Sequence, residues 1–135
     1  MSVFEPGPSG RSDVNGAAAL HTRIGMHRRG GSTFTNPKLN LRIETRDEFD
    51  QDAAVEILGF PSESDFVLYA PYTYDRAMIR NTFIFELSNQ IGRYASRTRF
   101  VELYANFNND ELEERDYLGV YVLEENIKAD ENRVD

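Results

Sequence analysis

Two alternating stretches on either side of a glycine-rich run constrain the fold of this chain more than any other feature. Over residues 20–28, Leu20, Thr22, Ile24 and Met26 fall on one side of an extended backbone, with His21, Arg23, Gly25 and His27 on the other. Residues 38–44 repeat the pattern, turning Leu39, Leu41 and Ile43 one way and Lys38, Asn40 and Arg42 the other. A period of two is the mark of a half-buried strand, because successive side chains leave opposite faces. The run between them, Gly30-Gly31-Ser32-Thr33-Phe34-Thr35-Asn36-Pro37, is turn chemistry. The two strands are therefore expected to pair antiparallel across a glycine loop.

The rest of the chain reads as short strands around one helix. Residues 55–61 form a short apolar element stopped by Gly59 and Pro61, and residues 66–70 a short strand ending at Pro71. Asp75 is placed to cap a helix over 76–91, in which Ile79, Phe83, Leu87 and Ile91 recur at four-residue spacing and Met78, Ile84 and Phe85 widen the stripe. Such a stripe is expected in the core, and Gly92 ends the helix. Residues 98–107 and 117–123 are strands by their β-branched and aromatic content, joined through the acidic segment 108–116. The expected class is α+β, antiparallel strands with one long helix and no internal repeat. Residues 1–19, rich in Gly, Pro, Ser and Asn, are expected to be a flexible segment ahead of an ordered region over 20–135.

Composition narrows the function classes. The 135 residues, 40% apolar, suffice for one core, and the absence of cysteine excludes a disulfide framework, a thiolate metal site and a thiol nucleophile. No apolar run approaches the roughly 18 residues of a membrane span, and no signal leader is visible at Met1. A net charge of −8 argues against a general nucleic-acid binder. The charge is unevenly spread, however. Residues 1–46 carry seven basic and three acidic side chains, and residues 47–135 carry eight and twenty. Arg23, Arg28, Arg29, Lys38, Arg42 and Arg46 cluster with His21 and His27, which suits either a solvated hairpin face or an anion site.

Gly25 and Gly30-Gly31-Ser32 approach the spacing of a phosphate-binding P-loop, but Gly31 stands where the lysine belongs and a strand follows instead of a helix. A glycine loop joining two antiparallel strands remains, whose N–H groups can approach a phosphate because Gly30 and Gly31 lack a Cβ. His21 and His27, about 20 Å apart at strand rise, do not share a metal. The acidic run 110–116 lacks the glycine and spacing of a calcium loop, and no Ser/His/Asp or paired-carboxylate arrangement stands out.

In order along the chain stand Arg28-Arg29-Gly30-Gly31-Ser32-Thr33, Pro37-Lys38, Leu58-Gly59, Phe66-Val67-Leu68-Tyr69-Ala70-Pro71-Tyr72, Asp75-Arg76-Ala77-Met78-Ile79-Arg80-Asn81, Phe100-Val101-Glu102-Leu103-Tyr104-Ala105-Asn106 and Leu118-Gly119-Val120-Tyr121-Val122-Leu123-Glu124-Glu125. This succession resembles the CotH kinase family of spore coat proteins, from about residue 20 onward. The resemblance implies the amino-terminal lobe of an atypical protein kinase fold. It also implies ATP and a divalent metal, Mg or Mn, with phosphoryl transfer to Ser or Thr of a protein substrate such as a Ser-rich coat or surface protein. A non-catalytic structural or adhesive surface module is the alternative within the same family. Localisation in a spore coat, at a cell surface or outside the cell is likewise implied by the resemblance alone.

On that resemblance Gly30, Gly31 and Ser32 cover the phosphates, with Arg28 or Arg29 as a flanking cation. Lys38 pairs with the phosphates, pointing away from Leu39, Leu41 and Ile43, and Glu86 neutralises Lys38 or Arg29. Glu124 and Glu125 stand where a hinge begins, so that backbone groups there meet adenine. Gly31 replaces the family's usual Asn, Phe66 replaces a Trp, and residues 107–116 are longer than the family's turn. No catalytic or metal residue is assigned, because the family's catalytic acids are expected beyond Asp135, so this part alone is expected to be inactive.

Overall fold

The structure, a computed structural model, describes residues 1–129; residues 130–135, which close the expected ordered region, lie outside the described ones. Strands β1 (Ser2–Val3) and β2 (Leu20–His21) pair antiparallel, and the Met1 ammonium donates to Thr22 O at 2.6 Å. The segment expected to be flexible therefore returns on itself, its first residues anchored to the edge of the fold. Next comes the expected hairpin, β3 (Arg23–Arg29) and β4 (Asn40–Arg46), in register from Arg23 opposite Arg46 to Arg29 opposite Asn40. The remaining elements are β5 (Val55–Ile57), β6 (Phe60–Glu63), β7 (Asp65–Tyr69), helix α1 (Arg80–Gln90), β8 (Thr98–Tyr104) and β9 (Tyr117–Glu125). The main sheet has the order β3-β4-β7-β9-β8, with every neighbouring pair antiparallel. The chain is thus an α+β domain, mostly antiparallel sheet with one helix.

Register decides which face is core. Leu41, Leu68 and Leu123 lie side by side across β4, β7 and β9, next to the row Ile43, Phe66 and Glu125. Their face is covered by Ile57 and Phe60 of the β5–β6 hairpin, and the Phe60 and Phe66 rings stack with centroids 6.5 Å apart. Burying each of these phenylalanines contributes about 2 kcal/mol or more. The hairpin exists because Leu58 and Gly59 both adopt left-handed backbone, φ 50° and 77°, the two-residue turn whose twist matches antiparallel strands. Residues 55–61 therefore reverse direction at Gly59 instead of stopping there, and Pro61 sits within β6.

The helix departs most from expectation. It starts at Arg80, not Arg76, because Met78 has a left-handed φ of 55° that interrupts the helical path. Asp75 still caps it from a distance, its Oδ2 accepting the Arg80 N–H at 2.8 Å. The stripe expected in the core is exposed: Ile79 53%, Phe83 65%, Leu87 43% and Ile91 66%, and no residue of α1 is buried. The helix meets the sheet chiefly along β8. A four-residue apolar period shows that a helix has a face to bury, not what that face meets, and here nothing among the described residues covers it.

Candidate functional site

The glycine loop owes its shape to one residue. Gly30 has φ 114°, and a Cβ there would stand 2.2 Å from Thr33 Oγ1. Thr33 Oγ1 accepts from Asn40 Nδ2 at 3.3 Å, and Asn40 Oδ1 accepts the Ala70 N–H at 2.7 Å. Buried Asn40 thereby ties the loop to the end of β7. Gly31, by contrast, has open space where a Cβ would be. Within the loop the Phe34 N–H donates to Gly31 O and the Asn36 N–H to Thr33 O, whereas the N–H groups of Gly31, Ser32 and Thr33 donate to no group among the described residues. Consecutive free backbone donors of this kind suit an anion.

The register that builds the core also builds a second face. Arg29 stands opposite Asn40, and Arg42, Val67 and Glu124 lie in one row across β4, β7 and β9. Alternation adds Tyr69 and Val122 to this face. It is the helix side of the sheet, since Asn81 Nδ2 at the start of α1 donates to Tyr69 Oη at 3.2 Å. Val67 and Val122 are buried there. Burial pushes the Glu124 carboxyl up to about 7 against the opposing charge of Arg29, and its buried Oε1 has no hydrogen-bond partner among the described residues. The Tyr69 phenol is raised by burial and then by the negative charges of Glu124 and Asp75. Glu124 is thus close enough to act on Tyr69 and to feel the charge of Arg29.

The structure separates the other expected site residues. Arg28 is on the opposite face from Arg29, with its guanidinium over the Phe34 ring at 5.7 Å, so only Arg29 borders the Glu124 face. Lys38 precedes β4 instead of opening it, and so escapes the strand alternation that would have turned it from Leu41 and Ile43. Its ammonium lies 4.5 Å over the ring of Tyr121, a member of the same core cluster as those two residues. Exposed Glu86 accepts from Gln90 Nε2 at 2.9 Å and forms no ion pair with Lys38 or Arg29 among the described residues. Glu125 is buried on the core side, where Oε1 accepts from Arg97 Nη1 at 2.8 Å and Oε2 from the Arg97 N–H at 2.9 Å. Because β9 runs on to Glu125, the Glu125 and Asn126 N–H groups already donate to Arg97 O and Asp65 O. These two donors hold the sheet together and are not free for a base.

Sequence reasoning missed Asn40 and Tyr69, and it missed an ionic network at the far end of β7. There Asp65 accepts from Arg42 Nη2 at 2.8 Å and pairs with Lys128, which also reaches Glu63 Oε1 at 3.0 Å. Burial pushes the Asp65 carboxyl up, but the hydrogen bonds from Lys128 and Arg42 outweigh it and hold the group below its ordinary range. No group of three or more His, Asp or Glu side chains gathers for a metal among the described residues. Nor is any helix among them long and apolar enough to cross a membrane.

An antiparallel sheet with a glycine hairpin at one edge and a single helix inserted before its last two strands defines an α+β domain with one polar face. The sequence model of the CotH kinase protein family matches residues 26–135, so the chain belongs to that family. No curated protein matches the chain.

Proposed function

We propose that residues 20–135 form the nucleotide-contacting lobe of a CotH-family protein kinase, acting in ATP-dependent phosphoryl transfer to Ser or Thr of a coat or surface protein. One observation carries this reading. The Arg29 cation and the unsatisfied Glu124 acceptor lie on one face of the sheet, and the glycine loop with its free donors at Gly31 and Ser32 follows directly on Arg29. The order of parts supports it too, since a glycine-rich hairpin, a strand and a helix succeed one another in kinase lobes.

The residues present fit a nucleotide. Loop N–H groups and Arg29 would offset phosphate charge, and Glu124 Oε1 would accept from a base amine. ATP, when bound, supplies the phosphoryl group. The described residues offer no cluster of acids for Mg or Mn, so the role given to this chain is binding and orientation, with the transfer chemistry left to residues not assigned in it. Lys38 has no part in the site as proposed, because its ammonium lies over Tyr121.

Isothermal titration with ATP and Mg or Mn tests the proposal. Arg29→Ala is expected to weaken binding about tenfold, as for loss of one charged hydrogen bond, while Arg28→Ala changes it little. No binding by the folded chain with either metal overturns the proposal and leaves the structural or adhesive surface module.

A further inference from the structure

Lys38 lies in a cleft of its own. The cleft occupies about 600 Å³, and its walls include Leu39, Tyr72, Leu118 and Tyr121, with Lys38 and Arg76 as its two cations. No acidic residue lines it, although the chain has 23 Asp and Glu. Neither cation forms an ion pair among the described residues. The Lys38 ammonium rests over Tyr121 at 4.5 Å, and the Arg76 guanidinium lies over Tyr72 at 5.2 Å while donating to Tyr72 Oη at 3.2 Å. The Lys38 ammonium is seated close to the β9 backbone, since a Cβ at Gly119 would come within 2.9 Å of its Nζ. Burial lowers the Lys38 pKa, the sign of a cation that has lost water without gaining a counter-ion.

We infer that this cleft binds an acidic peptide segment, with carboxylates meeting Lys38 and Arg76 and an apolar side chain between Tyr72 and Leu118. The two cations call for anionic groups. The volume and the aromatic and aliphatic walls call for more than a bare anion, because sites of this size bind ligands that bring apolar surface with them. A nucleic acid fits less well, since two cations on a chain of net charge −8 provide little of the phosphate neutralisation such binding uses. The cleft is lined by neither Arg29 nor Glu124, and its Lys38 ammonium rests on Tyr121, a member of the core cluster, so it is a different site from the proposed nucleotide site.

The test is fluorescence anisotropy with a fluorescein-labelled Asp-Glu-Leu-Glu-Asp peptide and its amide counterpart Asn-Gln-Leu-Gln-Asn. The acidic peptide is expected to bind at least about tenfold more tightly, and Lys38→Met and Arg76→Gln each to weaken it by about tenfold, the loss of one charged hydrogen bond. Arg93→Gln, an exposed arginine away from the cleft, should leave binding unchanged. Equal binding of the two peptides, or acidic-peptide binding indifferent to both cleft substitutions, overturns the inference. So does displacement of the peptide by inorganic phosphate or by a short single-stranded oligonucleotide at equal concentration. If either cleft variant fails to fold, the comparison of the two peptides on the unaltered chain still decides.

Discussion

Replacing Gly30 by alanine should destabilise the domain by about 3 kcal/mol, from two contributions of about 1–3 kcal/mol each. The first is backbone strain, because φ is 114° at this position. The second is local collision, because the new Cβ would fall 2.2 Å from Thr33 Oγ1. Moving that hydroxyl takes the acceptor from Asn40 Nδ2, a buried amide whose other end holds the Ala70 N–H. In a domain of this size the loss corresponds to a fall in Tm of about 10 °C. Urea unfolding followed by circular dichroism at pH 7 measures it, with Gly31→Ala as the neighbouring control expected within about 0.5 kcal/mol of the unaltered protein. Adding Thr33→Ala removes the collision, so the double variant should lose less than the sum of the two single losses. A Gly30→Ala variant as stable as Gly31→Ala would refute the account of the loop.

Three further outcomes follow from the same structure. Glu124 has a folded pKa of about 7 against an ordinary 4.5, so the folded chain holds a proton that the unfolded chain releases. Stability should therefore fall as pH rises from about 4.5 through 7, by up to about 3 kcal/mol, and Glu124→Gln should remove this slope in urea titrations. Glu125→Gln removes the charge that pairs the buried Glu125 carboxylate with the partly exposed Arg97 and should cost about 2 kcal/mol in the same assay. Phe83→Ser should change stability by less than about 0.5 kcal/mol, because Phe83 is 65% exposed; a loss of several kcal/mol would mean that α1 packs elsewhere.

Strand periodicity was the most legible property of the sequence. The hairpin of β3 and β4, the strand at β7 and the last two strands all follow from alternating or β-branched runs, since a period of two is a local property of the backbone. What a helix or a loop residue meets is not local. The stripe Ile79, Phe83, Leu87 and Ile91 has the spacing of a core face, yet its burial depends on a partner that the stripe does not specify. Lys38 shows the same limit at a strand end: alternation predicts a direction only inside β4, and two residues earlier the chain has already turned toward Tyr121. Asn40 occupies an outward position of the alternating pattern, and only the approach of the glycine loop and Ala70 buries it. Glu124 and Glu125 are adjacent and identical in type. Register sends one to the face bordered by Arg29 and buries the other on the core side, where it pairs with Arg97, and that register comes from β7 and β8 together.

The central claim is that nucleotide meets the Glu124 side of the sheet, and amide chemical-shift mapping during an ATP titration tests it most directly. The account predicts perturbations concentrated at Gly30, Gly31, Ser32, Val67 and Glu124, with the Arg29→Ala variant showing them only at higher ATP. Perturbations concentrated instead at Lys38, Tyr72 and Tyr121 would contradict it, placing the nucleotide in the Lys38 cleft.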